Sequence, residues 1–524
     1  MHSQAPVPPP LTTTRQVAVV DCGTSSVRAF IAQLQSDGGD PEILEDLSFP
    51  VDLTDSFVSG KLSRQAMDGV VEAFVNIAAS AKSYGIGTIR AVGTSALREA
   101  TNSDVLVERL RTNQGIDLEI IDNAEEARLY CEALRLVLER TKRELPGRTL
   151  MIDLGGGSTC IGLITNGKLV HSVDEHYGSV RILEQFHSLR DSGEFALTID
   201  RYALGAARMM LDRLPKGQIN HLVITSGDVR KLCSLLTKAT AKTAKGGIQP
   251  LAVNEVASWY QKMQAMTPPE RANACATDAR AAALLLPVAS LLKHLSAETG
   301  ATEVLVPYLT LRDGLIADLM PGAHGAHYLS AADLMAEGMQ LVSRYGGNLA
   351  YAENTASLAT QIFDQTASLH GLGERDRALL DFSALIHDIG SYINVRNRHK
   401  HSMYVIQSSD IAGLTAIEKE MVANIARYHR KSAPEAHHLE FKSLPRAKRV
   451  VVSYLAAILR LAYGLDVERT QRIKKVRCEV SDGRLLIHVD RRQIALERWS
   501  LGGKAGMFAE VFGLDVTVVA REER

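Results

Sequence analysis

Two short stretches of the chain share one pattern, and they decide the fold. Residues 19–28 read VVDCGTSSVR, and residues 151–159 read MIDLGGGST. In each stretch an apolar strand runs into Asp-x-Gly-x-x-Ser, and a second apolar strand follows. We call residues 21–26 the first cradle and residues 153–158 the second cradle. Their aspartates, Asp21 and Asp153, are 132 positions apart.

The residue types of the cradles suit phosphate binding, because small residues let backbone N–H groups converge on phosphate oxygens. The predicted phosphate-binding residues of the cradles are Gly23, Thr24, Ser25, Ser26, Gly155, Gly156, Gly157 and Ser158. Asp21 and Asp153 end their strands where Mg²⁺ or an attacking water would be held. One such loop could be an ordinary glycine-rich turn. The repetition favours two similar lobes with a phosphate-holding cleft between them.

Bulk composition is that of a globular protein. The chain has 524 residues, of which 46% are apolar and 23% charged. This length predicts roughly three or four domains, and no apolar run approaches the roughly 18–20 residues of a membrane span. Residues 1–14 lack the features of a signal peptide and are predicted to be a disordered tail. Six scattered cysteines argue against zinc and indicate reduced thiols in a cytoplasmic protein.

The net charge of the chain is −1, but the charges are unevenly distributed and one segment is strongly basic. Residues 391–477 contain 17 Lys and Arg against 7 Asp and Glu, together with five histidines. Such a concentration attracts polyanions through long-range fields and counterion release. The alternative is a solvated face, the usual meaning of a charge run. The cradles upstream favour a phosphate-rich ligand.

The pattern along the chain divides it into an α/β half and a helical half. Predicted helices include 63–80, 96–111 and 124–143, a helical stretch from Pro268 to His294, and a last helix over 503–512. A turn-rich linker is predicted near residues 320–325. After it the chain is almost entirely helical to about Asp466. Alternating apolar residues between 476 and 489 predict a hairpin with Asp482-Gly483 as its turn.

Glu126 is the candidate catalytic base, with Glu125 as the nearby alternative. A phosphohydrolase needs a carboxylate opposite the bound phosphate to deprotonate or orient water. The other explanation is that both glutamates only favour the positive end of the helix that begins near Asn123, with Asp122 or Asn123 as its cap.

An ordered set of motifs over residues 17–319 resembles the exopolyphosphatase and guanosine-pentaphosphate phosphohydrolase family of the actin-like ATPase superfamily. The motifs are Asp21-x-Gly23-x-x-Ser26-x-Arg28, Gly93-Thr94-Ser95-Ala96-Leu97-Arg98, Glu125-Glu126-Ala127-Arg128, the second cradle with Thr159, Gly178-Ser179-Val180-Arg181, Ser226-Gly227 and Arg312-Asp313-Gly314-Leu315. The resemblance implies that Glu126 is the catalytic glutamate, Asp153 a metal-associated aspartate and Arg98 a phosphate-binding arginine.

The resemblance implies two actin-like, RNase H-like lobes that form the cleft, a helical HD-like domain and a small α+β C-terminal domain. The expected boundaries are 15–135 and 136–322 for the lobes, 323–468 for the helical domain and 469–524 for the last domain. One residue departs from the family. Cys160 stands where the family usually carries a glutamate that helps to hold the metal, and a thiol is a poor ligand for Mg²⁺.

The helical domain contains the core of an HD motif, His387-Asp388. Tyr351 aligns with the earlier histidine that a working HD site needs, and Tyr463 with the later aspartate. We therefore expect His387 and Asp388 to be structural and the metal site degenerate. In long family members, basic residues in this region line the approach of a polyphosphate chain. The matching residues are Arg396, Arg398, His399, Lys400, His401, Arg427, His429, Arg430 and Lys431.

The sequence thus predicts an exopolyphosphatase that uses Mg²⁺ (or Mn²⁺) to release terminal orthophosphate from inorganic polyphosphate. Guanosine pentaphosphate is the alternative substrate. A kinase of the same superfamily is disfavoured, because no acceptor-sugar pocket is recognisable. A non-catalytic polyphosphate or nucleotide sensor is the alternative from another class. No specific nucleic acid and no membrane are expected as partners, and the oligomeric state is left open, with a homodimer as one alternative.

Overall fold

The computed structural model describes residues 15–35, 39–190, 192–238, 247–320, 331–409, 411, 413–435, 437–490 and 494–520. The chain forms two compact units, residues 1–327 and residues 328–524. The predicted disordered tail and most of the predicted linker lie outside the described residues.

The first unit begins with a five-stranded mixed sheet. Its strands are β1 (Arg15–Cys22), β2 (Ser26–Leu34), β3 (Glu42–Pro50), β4 (Ile89–Gly93) and β5 (Leu118–Ile120), in the order β3-β2-β1-β4-β5. Its helices are α1 (Asp55–Ser59), α2 (Arg64–Ser83), α3 (Ser95–Glu99), α4 (Ser103–Gln114) and α5 (Asn123–Thr141). Ser63 caps α2 by accepting a hydrogen bond from the Ala66 N–H, as a polar side chain before an apolar helix should.

A second mixed sheet repeats this strand order. Its strands are β6 (Arg148–Leu154), β7 (Thr159–Thr165), β8 (Lys168–Glu175), β9 (His221–Thr225), β10 (Ile248–Ala252) and β11 (Glu303–Pro307). The order β8-β7-β6-β9-β11 matches that of the first sheet, and β10 adds an antiparallel edge. Its helices are α6 (Ser179–Gln185), α7 (Phe195–Asp212), α8 (Gly227–Thr237), α9 (Val253–Gln264), α10 (Pro268–Ala274), α11 (Ala279–Thr299) and α12 (Leu311–Leu319), with a short 3₁₀ turn at His187–Leu189.

Both cradles are the turns of antiparallel hairpins, as the sequence predicts. In the first, the Gly23 N–H donates to the Ser26 carbonyl at 3.1 Å; in the second, the Gly155 N–H donates to the Ser158 carbonyl at 2.9 Å. A Cβ on Gly155 would lie 2.9 Å from that carbonyl oxygen, so the turn requires a glycine. The strands β4 and β9 run parallel to the first strand of their hairpins, so their carboxyl ends meet the cradles at the same sheet edge.

Helix α5 is packed against both sheets. Its N-terminal part joins a core with strands of the first sheet and with α12, whereas Ala133, Leu134 and Val137 join a core with strands of the second sheet. Asp122 caps the helix by accepting a hydrogen bond from the Glu125 N–H at 2.9 Å. The two sheets and the helix between them therefore form one unit.

Two sequence predictions in this unit need correction, and one strand lacks a prediction. The predicted helix 96–111 is two helices, α3 and α4, because Ala100 has an extended backbone and the Asn102 side chain hydrogen bonds with the Leu62 backbone. The predicted stretch 268–294 is likewise α10 and α11, separated by a turn in which Ala276 has a φ of 48° and Asp278 caps the second helix. Strand β10, an edge strand with Pro250, was not predicted.

Helix α11 meets the length and composition of a membrane span, which the sequence analysis did not expect of any segment. The mean hydropathy of its most apolar window is 1.2, and 67% of that window is buried inside the protein. Burial of this kind is typical of the core helix of a globular protein, so the helix is weak evidence for a membrane span.

The second unit is mostly helical. Its helices are α13 (Ala331–Arg344), α14 (Leu349–Gln365), α15 (Ala367–His370), α16 (Glu374–Ile386), α17 (Arg398–Gln407), α18 (Ala416–Arg427), α19 (Leu439–Lys442), α20 (Arg446–Leu465), α21 (Ala495–Gly502) and α22 (Gly506–Phe512), with a 3₁₀ turn at Ile389–Tyr392. The strands β12 (Val476–Ser481), β13 (Arg484–Val489) and β14 (Asp515–Ala520) form one sheet in that order.

The predicted hairpin of this sheet is confirmed, with Gly483 in the left-handed region at a φ of 72°. The predicted helix 503–512 is wrong at its start, because residues 503–505 form a turn and the helix, α22, begins at Gly506. The apolar side chains of the sheet, such as Leu485 and Ile487, share one hydrophobic core with the helices of this unit.

Gly314 should be essential for stability, because a Cβ there would lie 2.1 Å from the carbonyl oxygen of Leu129 on α5. We expect Gly314→Ala to force α12 and α5 apart and to reduce the free energy of unfolding by about 1–3 kcal/mol. The matched control is Gly205→Ala in the middle of α7, where nothing lies within 4 Å. Alanine there should be neutral or stabilise the helix by up to about 1 kcal/mol. Equal unfolding temperatures for the two variants would contradict the prediction.

Glu337 on α13 should make the second unit less stable at alkaline pH. The side chain is buried, and burial raises its pKa to about 7. Between the ordinary pKa and about 7 the unfolded chain has lost a proton that the folded chain keeps, so stability falls as pH rises through this window. Glu337→Gln should therefore raise the free energy of unfolding at pH 8 by about 1–3 kcal/mol, and with it the unfolding temperature. The same substitution should have little effect at pH 4.5.

Calorimetry of the full chain at the two pH values measures this effect. The control is Glu353→Gln on α14, an exposed glutamate whose replacement should change stability at neither pH. A gain for Glu337→Gln that is the same at pH 4.5 and pH 8 would show that ionisation is not its cause.

Candidate active site

A polar cavity of about 330 Å³ lies at the cradle edge of the two sheets. The predicted site residues in its wall are Asp21, Gly23, Thr24, Ser25, Ser26, Glu126, Asp153, Gly155, Gly156 and Ser158. Two predicted residues, Arg98 and Gly157, are not among the described residues that line it. The cavity thus brings together both cradles, both aspartates and the candidate base.

The second cradle is fixed by the segment that follows β8. The Gly156 carbonyl accepts hydrogen bonds from the Val180 and Arg181 N–H groups, each at 3.0 Å. A Cβ on Gly178 would lie 2.3 Å from that carbonyl oxygen, and a Cβ on Gly157 would lie 2.3 Å from the Phe57 ring. Gly157 is therefore a packing residue of the loop, and the glycine run allows three segments to approach one another closely.

Glu126 is held by Arg98. The Arg98 Nη1 atom donates to Glu126 Oε2 at 2.8 Å and to the Ile121 carbonyl at 2.9 Å, and Glu126 is only 6% exposed. The other terminal nitrogen of Arg98 is buried without a hydrogen-bond partner. The arginine that the resemblance assigns to phosphate thus orients the carboxylate of the candidate base, and one N–H₂ group remains for a ligand.

Glu125, the alternative base, has a different environment. It forms two 2.8 Å hydrogen bonds with the Arg128 guanidinium, which also pairs with Asp318 on α12 at 2.6 Å and 2.9 Å. Glu125 does not line the cavity. The geometry therefore favours Glu126 over Glu125 as the residue that faces a ligand.

Of the two cradle aspartates, Asp153 is buried and Asp21 is partly buried, and both have little compensating charge. Burial raises the pKa of Asp21 to about 6, against the opposing effect of Arg28, and raises the pKa of Asp153 to about 8, with a further contribution from Glu126. A divalent cation would favour the ionised form of both carboxylates. Asp21, Asp153 and Glu126 do not form a close trio of ligand atoms, whereas Mg²⁺ usually takes one or two carboxylates together with waters and phosphate oxygens. The donor set therefore fits Mg²⁺.

Cys160 is a buried neutral thiol beside the site. It lies opposite Asp174 in the β7–β8 ladder, and its Sγ is 3.6 Å from the Asn123 carbonyl, to which it donates. Burial raises its pKa well above the ordinary value, so the thiol offers no charge to a metal ion. All six cysteines are free.

The cavity wall also contains residues to which the sequence assigned no role, among them Arg28, Tyr130, Arg230 and Lys231. Arg28 lies opposite Asp21 in the first hairpin, and the Arg230 Nη1 donates to the Leu309 carbonyl at 2.8 Å. The position of Arg230, in the first turn of a helix that follows Ser226-Gly227 at a strand end, is a signal that could have identified it. Tyr130 lies one helical turn after Glu126.

The basic residues of the second unit are of two kinds. Arg396, Lys400 and Lys431 are exposed, and Arg398, His401, Arg427 and Arg430 are partly buried. His399 and His429 are buried, at 4% and 0% exposure. Burial and the nearby charges of Arg430, Lys431, Arg427 and Lys400 lower the pKa of His399 to about 4. The prediction that His429 contacts a polyanion needs correction, because its side chain is enclosed. Burial also lowers the pKa of the ring, which keeps it neutral.

The residues around His387 and Asp388 form a largely buried network. Tyr351 and Tyr463 lie beside His387 as predicted; the Tyr351 hydroxyl is 3.3 Å from His387 Nε2, and the ring centroids of His387 and Tyr463 are 5.9 Å apart. His387, Asp388 and His429 have ligand atoms within 4.8 Å of one another. Both carboxylate oxygens of Asp388, however, pair with arginines, with Arg398 at 2.6 Å and with Arg469 at 2.8 Å. These two positive charges oppose a metal ion, and a structural role stays our prediction.

Comparison with known proteins identifies the fold and the family. Crystal structures of an Aquifex aeolicus member of the Ppx/GppA family and of an exopolyphosphatase from Cytophaga hutchinsonii superpose with TM-scores of 0.51 and 0.50. Each is 20% identical, and the match covers 59% of this chain and 98% of the other. The matched part of this chain therefore has the fold of those proteins.

Sequence relatives extend over more of the chain. A protein of Aeromonas hydrophila named guanosine-5'-triphosphate,3'-diphosphate pyrophosphatase is 28% identical over 434 residues, which are 78% of this chain and 79% of the relative. A protein of Vibrio campbellii with the same name is 27% identical over 72% of this chain and 74% of its own length. Residues 34–323 match the model of the Ppx/GppA phosphatase family, and residues 337–501 match its domain III. The chain belongs to the Ppx/GppA phosphatase family.

Proposed function

We propose that this protein hydrolyses the terminal phosphoanhydride bond of inorganic polyphosphate and releases orthophosphate. The observation that carries the proposal is the cavity in which two cradles, their two aspartates and Glu126 converge. The two sheets with one strand order are then actin-like lobes, and the helical part of the second unit is an HD-like domain with a degenerate metal site. Loops that hold phosphate oxygens from two sides, with a carboxylate between them, suit an in-line attack by water.

Each residue has a distinct task in this reaction. The N–H groups of the cradles hold oxygens of the terminal phosphate and position its phosphorus. Glu126 accepts a proton from the attacking water, and Arg98 keeps that carboxylate in one orientation.

Asp21 and Asp153 would hold Mg²⁺ (or Mn²⁺). Bound there, the ion supplies positive charge that compensates the phosphate oxygens. Cys160 contributes no carboxylate. We therefore expect binding of the ion to depend on these two aspartates and on the substrate more strongly than it does in relatives that carry the glutamate.

The basic residues of the second unit favour a long polyanion as substrate, and a cytoplasmic location agrees with the six free thiols. Guanosine pentaphosphate is the second candidate, which the names of the two sequence relatives favour. A phosphate-release assay with long-chain polyphosphate and guanosine pentaphosphate in parallel tests the proposal. Inertness on both substrates with tight binding retained would contradict it and favour a sensor.

The catalytic base can be tested by comparing neighbouring glutamates. Glu126→Gln should retain substrate binding and lose about 10²–10⁴-fold in kcat, the usual contribution of general acid–base catalysis. The matched control, Glu125→Gln, weakens the pair with Arg128 and should lower the unfolding temperature while kcat stays within a few-fold of wild type. A kcat for Glu126→Gln within a few-fold of wild type would refute the assignment.

The basic segment can be tested through chain length. In a variant with Arg396, Lys400 and Lys431 replaced by Gln, KM for long polyphosphate should rise and its salt dependence should flatten, because each lost phosphate contact removes about one unit from the salt slope. Turnover of tripolyphosphate should be almost unchanged, since a short substrate needs only the cradles. The control replaces the exposed Lys61, Arg64 and Lys82 of the first unit. Equal losses on long and short substrates would exclude a polyphosphate-tracking role.

A further inference from the structure

Tyr130 stands in the cavity wall without an assigned role. It follows Glu126 by four residues on α5, so the two side chains lie on the same helix face. We propose that the Tyr130 hydroxyl is a positioning group that holds the attacking water beside Glu126. The inference rests on the proposed hydrolysis and adds a residue that the motifs of the chain do not mark.

The hydroxyl lies among the acidic groups of the site. Burial, followed by the charges of Asp153, Glu126 and Asp21, raises the pKa of the hydroxyl well above its ordinary value, and the hydroxyl hydrogen bonds with the Asp153 carboxylate. Tyr130 also lines the cavity that contains both cradles. The Tyr130 hydroxyl is thus a neutral hydrogen-bond donor in a cavity wall that also contains the carboxylates of Glu126, Asp153 and Asp21.

The ring of Tyr130 is held rigidly. It packs against the core that α5 shares with the first sheet and also against the core that α5 shares with the second sheet. An aromatic ring with only two rotatable bonds, packed on both sides, fixes its hydroxyl in one place. Replacement by phenylalanine keeps the ring and removes only the hydroxyl, so the packing of the helix should survive.

A phenol has one donor and two acceptor lone pairs. With its proton donated to Asp153, the Tyr130 oxygen can accept a hydrogen bond from a water in the cavity. That water would donate one hydrogen to Tyr130 and the other to Glu126, which leaves a lone pair of the water oxygen free to attack phosphorus. In the step, the bond from water oxygen to the terminal phosphorus forms, and the bond from phosphorus to the bridging oxygen breaks. Glu126 takes the water's proton, the shortened chain leaves with the bridging electron pair, and Tyr130 keeps its own proton.

The test compares Tyr130→Phe with wild type at saturating Mg²⁺, on long-chain polyphosphate and on guanosine pentaphosphate. One hydrogen bond to the water is lost, so kcat should fall about 10- to 100-fold, while KM and the Mg²⁺ concentration for half-maximal rate stay within about twofold. The control is Tyr84→Phe, which loses a 3.1 Å hydrogen bond to Glu45 outside the cavity and should leave kcat unchanged. The unfolding temperature of each variant verifies that the fold is kept.

Two results would overturn the inference. If Tyr130→Phe turns over like wild type, the hydroxyl holds no water that matters to the reaction. If instead the Mg²⁺ requirement rises and kcat recovers at high Mg²⁺, the hydroxyl serves only to support Asp153. Inertness of the wild-type protein on both substrates is a different outcome, because it refutes the proposed function itself.

Discussion

The contact between Leu129 on α5 and Gly314 on α12 constrains the whole first unit. A glycine brings the two helix backbones into direct contact, and the Arg128 guanidinium, buried beside it, joins Glu125 to Asp318. Because α5 also packs on both sheets, its rotation about its own axis is fixed. That rotation determines that Glu126 and Tyr130 face the cavity while Glu125 faces the ion network.

Electrostatics in the cavity follow from the same packing. Three buried or partly buried carboxylates line one cavity, yet the strong ion pair within the site is the one between Arg98 and Glu126. Asp21 and Asp153 have partners that compensate burial only in part, and the pKa of each is raised. Enclosed carboxylates without full charge compensation reduce the stability of a protein that has no ligand bound. Carboxylates with raised pKa values are therefore typical of sites that bind a cation or transfer a proton.

The sequence predicts the hairpin turns of the cradles because their pattern is local, whereas the role of Glu126 stays a prediction. Asp-x-Gly-x-x-Ser needs only a hairpin to present its N–H groups, and both hairpins are present. Other features depend on distant partners that no local pattern reveals. Arg98 appears in a motif, but its pairing with Glu126 arises from packing across 28 positions. The break of the predicted helix 96–111 depends on Asn102 reaching the backbone of Leu62, and the burial of His429 depends on rings from three other segments.

The closure of each cradle by a hydrogen bond between residues three positions apart has a consequence for how the protein assembles. Contacts of such short range form early and without help from the rest of the chain. The contacts that hold α12 against the first sheet and against α5 have a much longer range: Arg312 donates to the Ala29 carbonyl across 283 positions, and Arg128 pairs with Asp318 across 190. The cradle turns are thus specified by neighbouring residues, whereas their placement beside Glu126 requires the finished fold.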